Sequence, residues 1–166
     1  MPEHNTLTPS GRPECLAPSP CGEPGPGNLA YGFTLPCSSA TPAIAHEVAE
    51  AVLGGHGVTG LLGPALLLVL ELTDYACRFT PSGAEVYLNI RQREGVLRLT
   101  VYDTHPRHAQ PRDAAYCDGL RRAALRLTPE LARVHRGGWG IDAAELPAMG
   151  TRTWATLAQP AHGWTR

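Results

Sequence analysis

The chain has 166 residues, 43% of them hydrophobic and 17% charged, which is enough for one folded domain with a core of its own. A formal net charge of −1 excludes a general nucleic-acid surface, because phosphate binding needs clustered cations to displace counterions. All 14 basic residues are Arg, so a P-loop lysine, Schiff-base chemistry and a lysine-centred kinase site are excluded together.

Residues 1–28 are rich in Pro, Gly and Ser and hold hardly any large apolar side chain. Such a segment cannot bury enough surface to offset its chain entropy, so a disordered tail is expected. No basic segment followed by an apolar run stands in it, and no secretory signal is expected. From Leu29 the character changes: Leu29, Tyr31, Phe33 and Leu35 alternate with small residues, predicting a strand that stops at Pro36. Pro42 marks a first helical turn, and Ile44, Val48, Ala51 and Val52 predict an apolar face ending at Gly54 and Gly55. A second helix over residues 63–78 is apolar on most sides and is therefore expected to be buried.

Residues 85–92 and 96–102 alternate around Gly95 and predict a β-hairpin. Residues 104–118 hold Pro106, Pro111, His105, His108 and two Arg with almost no apolar residue, which predicts a long surface loop. Over residues 120–134 a third helical region follows, with Leu120, Ala124, Leu127, Leu131 and Val134 on one stripe and a division at Pro129. An apolar piece at 139–141 and a strand at 151–157 close the domain, which is expected to span 29–158 and to precede a tail at 159–166. The order predicts an α+β fold, a two-layer α/β sandwich with helices on one face of a mixed, largely antiparallel sheet.

The strongest apolar run, 61–70, is broken by Gly63 and Pro64 and closed by Glu71, too short for a span of about 20 residues. Five cysteines, Cys15, Cys21, Cys37, Cys77 and Cys117, form no CxxC pair, and their odd count predicts reduced thiols. A cytoplasmic protein without a membrane or nucleic-acid partner is the expectation.

Four short segments carry candidate chemistry: ELTDYACR at 71–78, VYDTHP at 101–106, DGL at 118–120 and the Gly150-Thr151 pair. Together with the element order they resemble, over residues 29–157, the histidine-kinase-like ATPase domains, and most closely the small actinobacterial proteins similar to anti-sigma-factor serine kinases. The resemblance implies Glu71 as general base and gives Arg78 a place in the nucleotide site. It places Tyr75 where a magnesium-holding Asn is expected and Phe79 where a His is expected. Asp74, one position earlier, offers an oxygen but points about 100° around the helix. Asp103 takes the place of the adenine acceptor, and Gly119 is what remains of a glycine-rich phosphate lid. Gly150 and Thr151 match a terminal strand whose Thr helps to hold phosphate.

Each residue also has a plainer reading. Glu71 reads as a helix carboxylate facing Arg78 or a loop, Tyr75 as a packed aromatic, Asp103 and Gly150 as turn formers, and Thr151 as a strand former. His105 and His108 have an HxxH spacing beside Cys117 and Asp118; solvated loop histidines are the leading reading and a metal site the lesser one, and no metal is assigned to them. ATP and magnesium are the cofactors the resemblance implies, and the changes at Tyr75 and at the lid predict that their site is degenerate. The expected function is therefore regulation through protein binding. A sigma factor or an anti-sigma antagonist is the implied partner, and homodimers are common among such relatives. The competing readings are an active ATP-dependent serine/threonine kinase with Glu71 as base, and an unrelated small α/β binding protein.

Overall fold

The structure, a computed structural model, describes residues 20–144 and 150–158. Strands β1 (Ala30–Pro36), β2 (Glu85–Arg93), β3 (Val96–Asp103), β4 (Trp139–Ala143) and β5 (Thr151–Ala158) form one sheet in the order β1-β2-β3-β5-β4. Every pairing is antiparallel, so the expected mixed sheet is antiparallel throughout the described residues. Helices α1 (Thr41–Gly55), α2 (Leu62–Arg78), α3 (Pro111–Ala124) and α4 (Thr128–Val134) complete a two-layer α+β sandwich. No helix among the described residues is long and apolar enough to cross a membrane.

The alternation that predicts the strands also sorts their side chains. Val86, Leu88 and Ile90 of β2, Leu97, Leu99 and Val101 of β3, and Ala155 and Leu157 of β5 are buried under the helices. The β2-β3 connection is two residues long, and Glu94 and Gly95 have φ of 50° and 76°. Two successive left-handed residues make the turn whose twist suits a hairpin. Helix α2 lies at the centre of the other layer and buries Ala65, Leu68, Val69, Leu72, Thr73, Tyr75 and Ala76.

Helix faces depart from the apolar pattern. The buried stripe of α1 is Thr41, Ala45, Ala49 and Leu53, while Ile44 is 46% exposed. Small side chains let α1 approach α2 closely, and closeness of approach decides the contact face. The continuous stripe expected over 120–134 is absent: Leu120, Leu127 and Val134 are 49%, 45% and 57% exposed. The backbone leaves the helix at Leu125 (φ −97°, ψ 90°), so the region is divided as expected, at residues 125–127 just before Pro129, which sits in the first turn of α4.

The expected loop at 104–118 is a loop only to residue 110. Pro111 opens α3, Asp113 sits in its first turn, and Ala114 and Ala115 follow, which are ordinary helix-start signals that the surrounding polar residues masked. The expected tail also differs at its end. Pro26–Asn28 forms a 3-10 turn held by the Gly25 amide donating to Asn28 Oδ1 at 2.9 Å. His56 and Arg93 bind the Gly25 and Gly27 carbonyls at 2.7 and 2.9 Å, which fastens this turn to the domain. Since a carbonyl can only accept, His56 Nδ1 donates, leaving Nε2 to accept from the Tyr31 hydroxyl at 3.0 Å. The remaining tail positions, 1–19 and 159–166, lie outside the described residues.

Candidate functional site

Strand β3 ends with Asp103 fully enclosed, opposite Thr151 of β5. Gly150, at φ 119°, passes so near that a Cβ there would lie 1.9 Å from the Asp103 carbonyl oxygen. Glycine is thus required for the chain to re-enter the sheet beside Asp103. Into this place α3 sends Arg121, which is 2% exposed. Its two terminal nitrogens donate to Asp103 Oδ2 at 2.7 Å and Oδ1 at 3.0 Å. Oδ1 also accepts the His105 amide at 3.0 Å.

Tyr75 closes the other side. Its hydroxyl oxygen accepts from Arg121 at 2.6 Å and from Thr153 Oγ1 at 3.1 Å. The guanidinium carbon stands 4.3 Å from the centre of the Phe79 ring, a cation over an aromatic face. Burial opposes the Arg121 cation, but the Asp103 carboxylate and the Tyr75 oxygen overcome it and hold the group above its ordinary value. Burial raises the Tyr75 phenol, with the Thr153 and Arg121 contacts working against it. Tyr75 is therefore a neutral structural acceptor near neutral pH.

Glu71 lies on α2 one turn before Tyr75, and its carboxylate is occupied. Oε1 accepts the Arg126 and Leu127 amides, each at 2.7 Å, and Oε2 accepts the Thr128 amide at 2.6 Å and Thr128 Oγ1 at 2.7 Å. The Leu127 and Thr128 amides are orphan donors at the start of α4, so Glu71 caps a helix from another element and places its charge at the positive end of the helix. Of its two plainer readings, the one facing a loop describes this contact. Arg78 instead forms an exposed pair with Asp74 at 2.5 Å. The Asp74–Arg78 pair thus lies apart from the network around Arg121. Gly119 sits in the body of α3 with open space around it, where its amide belongs to the helical ladder. Thr151 is buried, and its hydroxyl donates to the His105 carbonyl at 3.4 Å.

A third cluster lies beside this network. His105 Nε2 and His108 Nε2 are 3.1 Å apart, and Cys117 Sγ is 3.6 Å from His105 Nε2. All three atoms fall within 4.8 Å of one another. Burial, with the Arg121 and His108 charges nearby, lowers His105 below the usual imidazole value despite Asp103. The HxxH spacing was visible in the sequence, but Cys117 joins it only because residues 111–118 are helical. Cys21, Cys37, Cys77 and Cys117 are free thiols. Cys37 and Cys77 lie together where β1 ends near α2, and Cys37 Sγ contacts the Cys77 carbonyl at 3.3 Å. Burial first, then Cys37, pushes the Cys77 thiol up to about 11.

Sequence reasoning missed Arg121 and the Glu71 cap. The first had only the Arg121-Arg122 pair as a signal, and on an α3 read as half loop it looked solvated. The second had Thr128-Pro129 as a helix start, with no indication that its cap would come from α2. No protein-family model matches this sequence, and no curated protein shows significant similarity to it.

Proposed function

We propose that this chain is a regulatory domain on the histidine-kinase-like ATPase plan whose nucleotide cleft is filled by its own side chains, and that it acts by binding proteins instead of turning over ATP. The observation that carries the reading is the buried Arg121–Asp103 pair, bidentate at 2.7 and 3.0 Å. On this plan Asp103 would accept an adenine amino group, and Arg121 already supplies its donors. A base entering there must displace a buried ion pair. Breaking such a pair costs about 3–5 kcal/mol, or roughly two to four orders of magnitude in affinity. Glu71, the general base on this plan, has both oxygens engaged by the amides of Arg126, Leu127 and Thr128, and Tyr75 offers a phenol where magnesium needs a harder oxygen ligand.

The partner surface in this reading is the helix-free face of the sheet. Tyr87, Arg91, Arg98, Tyr102, Arg152 and Trp154 share it, with Arg98 4.4 Å over the Trp154 ring. Tyr, Trp and Arg are the residues enriched in protein interfaces. The cations outnumber Glu85 and Asp142 there, which fits an acidic partner. By the resemblance that partner is a sigma factor or an anti-sigma antagonist in the cytoplasm. Calorimetric titration of the purified chain with magnesium-ATP tests the reading. No saturable binding is expected, and magnesium-dependent binding at micromolar strength would return the domain to the active kinases.

A further inference from the structure

We propose that His105, His108 and Cys117 form a three-ligand site for a divalent transition-metal ion of borderline softness, zinc above all. With Zn–N near 2.0–2.1 Å and Zn–S near 2.3 Å, tetrahedral ligands lie about 3.3–3.4 Å apart for two nitrogens and about 3.6 Å for nitrogen and sulfur. The observed separations are 3.1 Å and 3.6 Å. The His108 and Cys117 atoms complete the triangle, all three lying within 4.8 Å of one another, and hydrogen bonding among themselves satisfies only part of their lone pairs. A cation satisfies all three at once.

Two of the ligands are held by neighbours. The His105 amide donates to Asp103 at 3.0 Å and its carbonyl accepts from Thr151 at 3.4 Å, which fixes the backbone. Cys117 lies four residues before Arg121 on α3, so both project from one helix face, and Arg121 is anchored in the core. His108, on the exposed part of the 104–110 loop, supplies the adjustable third ligand. Both histidines offer Nε2, which places their ring proton on Nδ1. A thiolate with two imidazoles selects zinc, cobalt or copper over magnesium or calcium, so this site is chemically distinct from a nucleotide-magnesium site. Metal uptake breaks the Cys117 S–H bond, forms the metal–sulfur bond and releases one proton to solvent. Three protein ligands leave a fourth position for water. The metal ties the loop to α3, whose only buried side chain is Arg121.

Cobalt(II) titration of the reduced full-length chain tests the site. One equivalent should produce tetrahedral d–d bands and a thiolate-to-cobalt charge-transfer band, which added zinc then abolishes. Cys117→Ser and His108→Ala should each weaken binding by more than the roughly 10–100-fold expected of an outer-shell change, with the charge-transfer band lost in the first. Cys21→Ser should leave the spectrum unchanged. His108 is exposed, so His108→Ala keeps the test meaningful if circular dichroism shows Cys117→Ser to be unfolded. The proposal is overturned if the folded chain takes up neither cobalt nor zinc, or if uptake survives His108→Ala or a folded Cys117→Ser unchanged.

Discussion

Arg121 and Asp103 confront each other with almost no solvent, and each charge is tolerated only because the other is present. Arg121→Met removes the cation and leaves the carboxylate buried without compensation, which should cost about 3–5 kcal/mol in urea denaturation. Pairing it with Asp103→Leu should recover most of that loss, because an apolar pair of similar volume leaves no orphaned charge. Asp103 was legible in the sequence as a polar residue closing a strand. Its partner was not, because nothing in a helical Arg announces that the helix will fold over a strand end. A second residue-scale expectation concerns Cys77. Its thiol is pushed up to about 11, so the folded state favours the protonated form. The contribution to stability is complete below the ordinary thiol pKa and is lost as pH rises through about 11. Iodoacetamide labelling of the folded chain should therefore leave Cys77 largely unmodified at neutral pH, with labelling rising only in the alkaline range.

Among the elements, α4 depends on a residue of α2. Glu71→Ala removes an acceptor for four donors and should destabilise the chain by about 1–3 kcal/mol, since it strips a cap and leaves amides unsatisfied. Thr128→Ala, which removes one of the four, should cost less. If Glu71→Ala proves neutral in denaturant, the carboxylate is free for another role. The strands and α2 were legible because their periodicity is enforced by burial: Val86, Leu88 and Ile90 recur every second residue, and α2 is covered on most sides. The faces of α1 and α4 were not, because close packing there selects Ala and Thr while Ile44 and Val134 remain outside, and α3 turns Arg121 inward and leaves Leu120 outside. Hydrophobicity marks where a helix is needed, but side-chain size decides which way it turns.

At the scale of the whole molecule, one sheet face is spent on the core and the other is left to carry Arg and aromatic side chains. Arg91→Glu combined with Arg98→Glu should leave the fold intact and abolish binding of the acidic partner proposed above, whereas unchanged binding would move the interaction surface elsewhere. The helix side holds the three networks of Glu71, Arg121 and His105, and two of them bind α3 or its preceding loop to the sheet. On the function proposed above, this side is already closed by its own side chains and leaves ATP nothing to organise. Hydrogen exchange with and without magnesium-ATP tests it most directly. Identical protection across residues 104–124 in both conditions is the predicted result, and strong nucleotide-dependent protection of that segment would contradict the account.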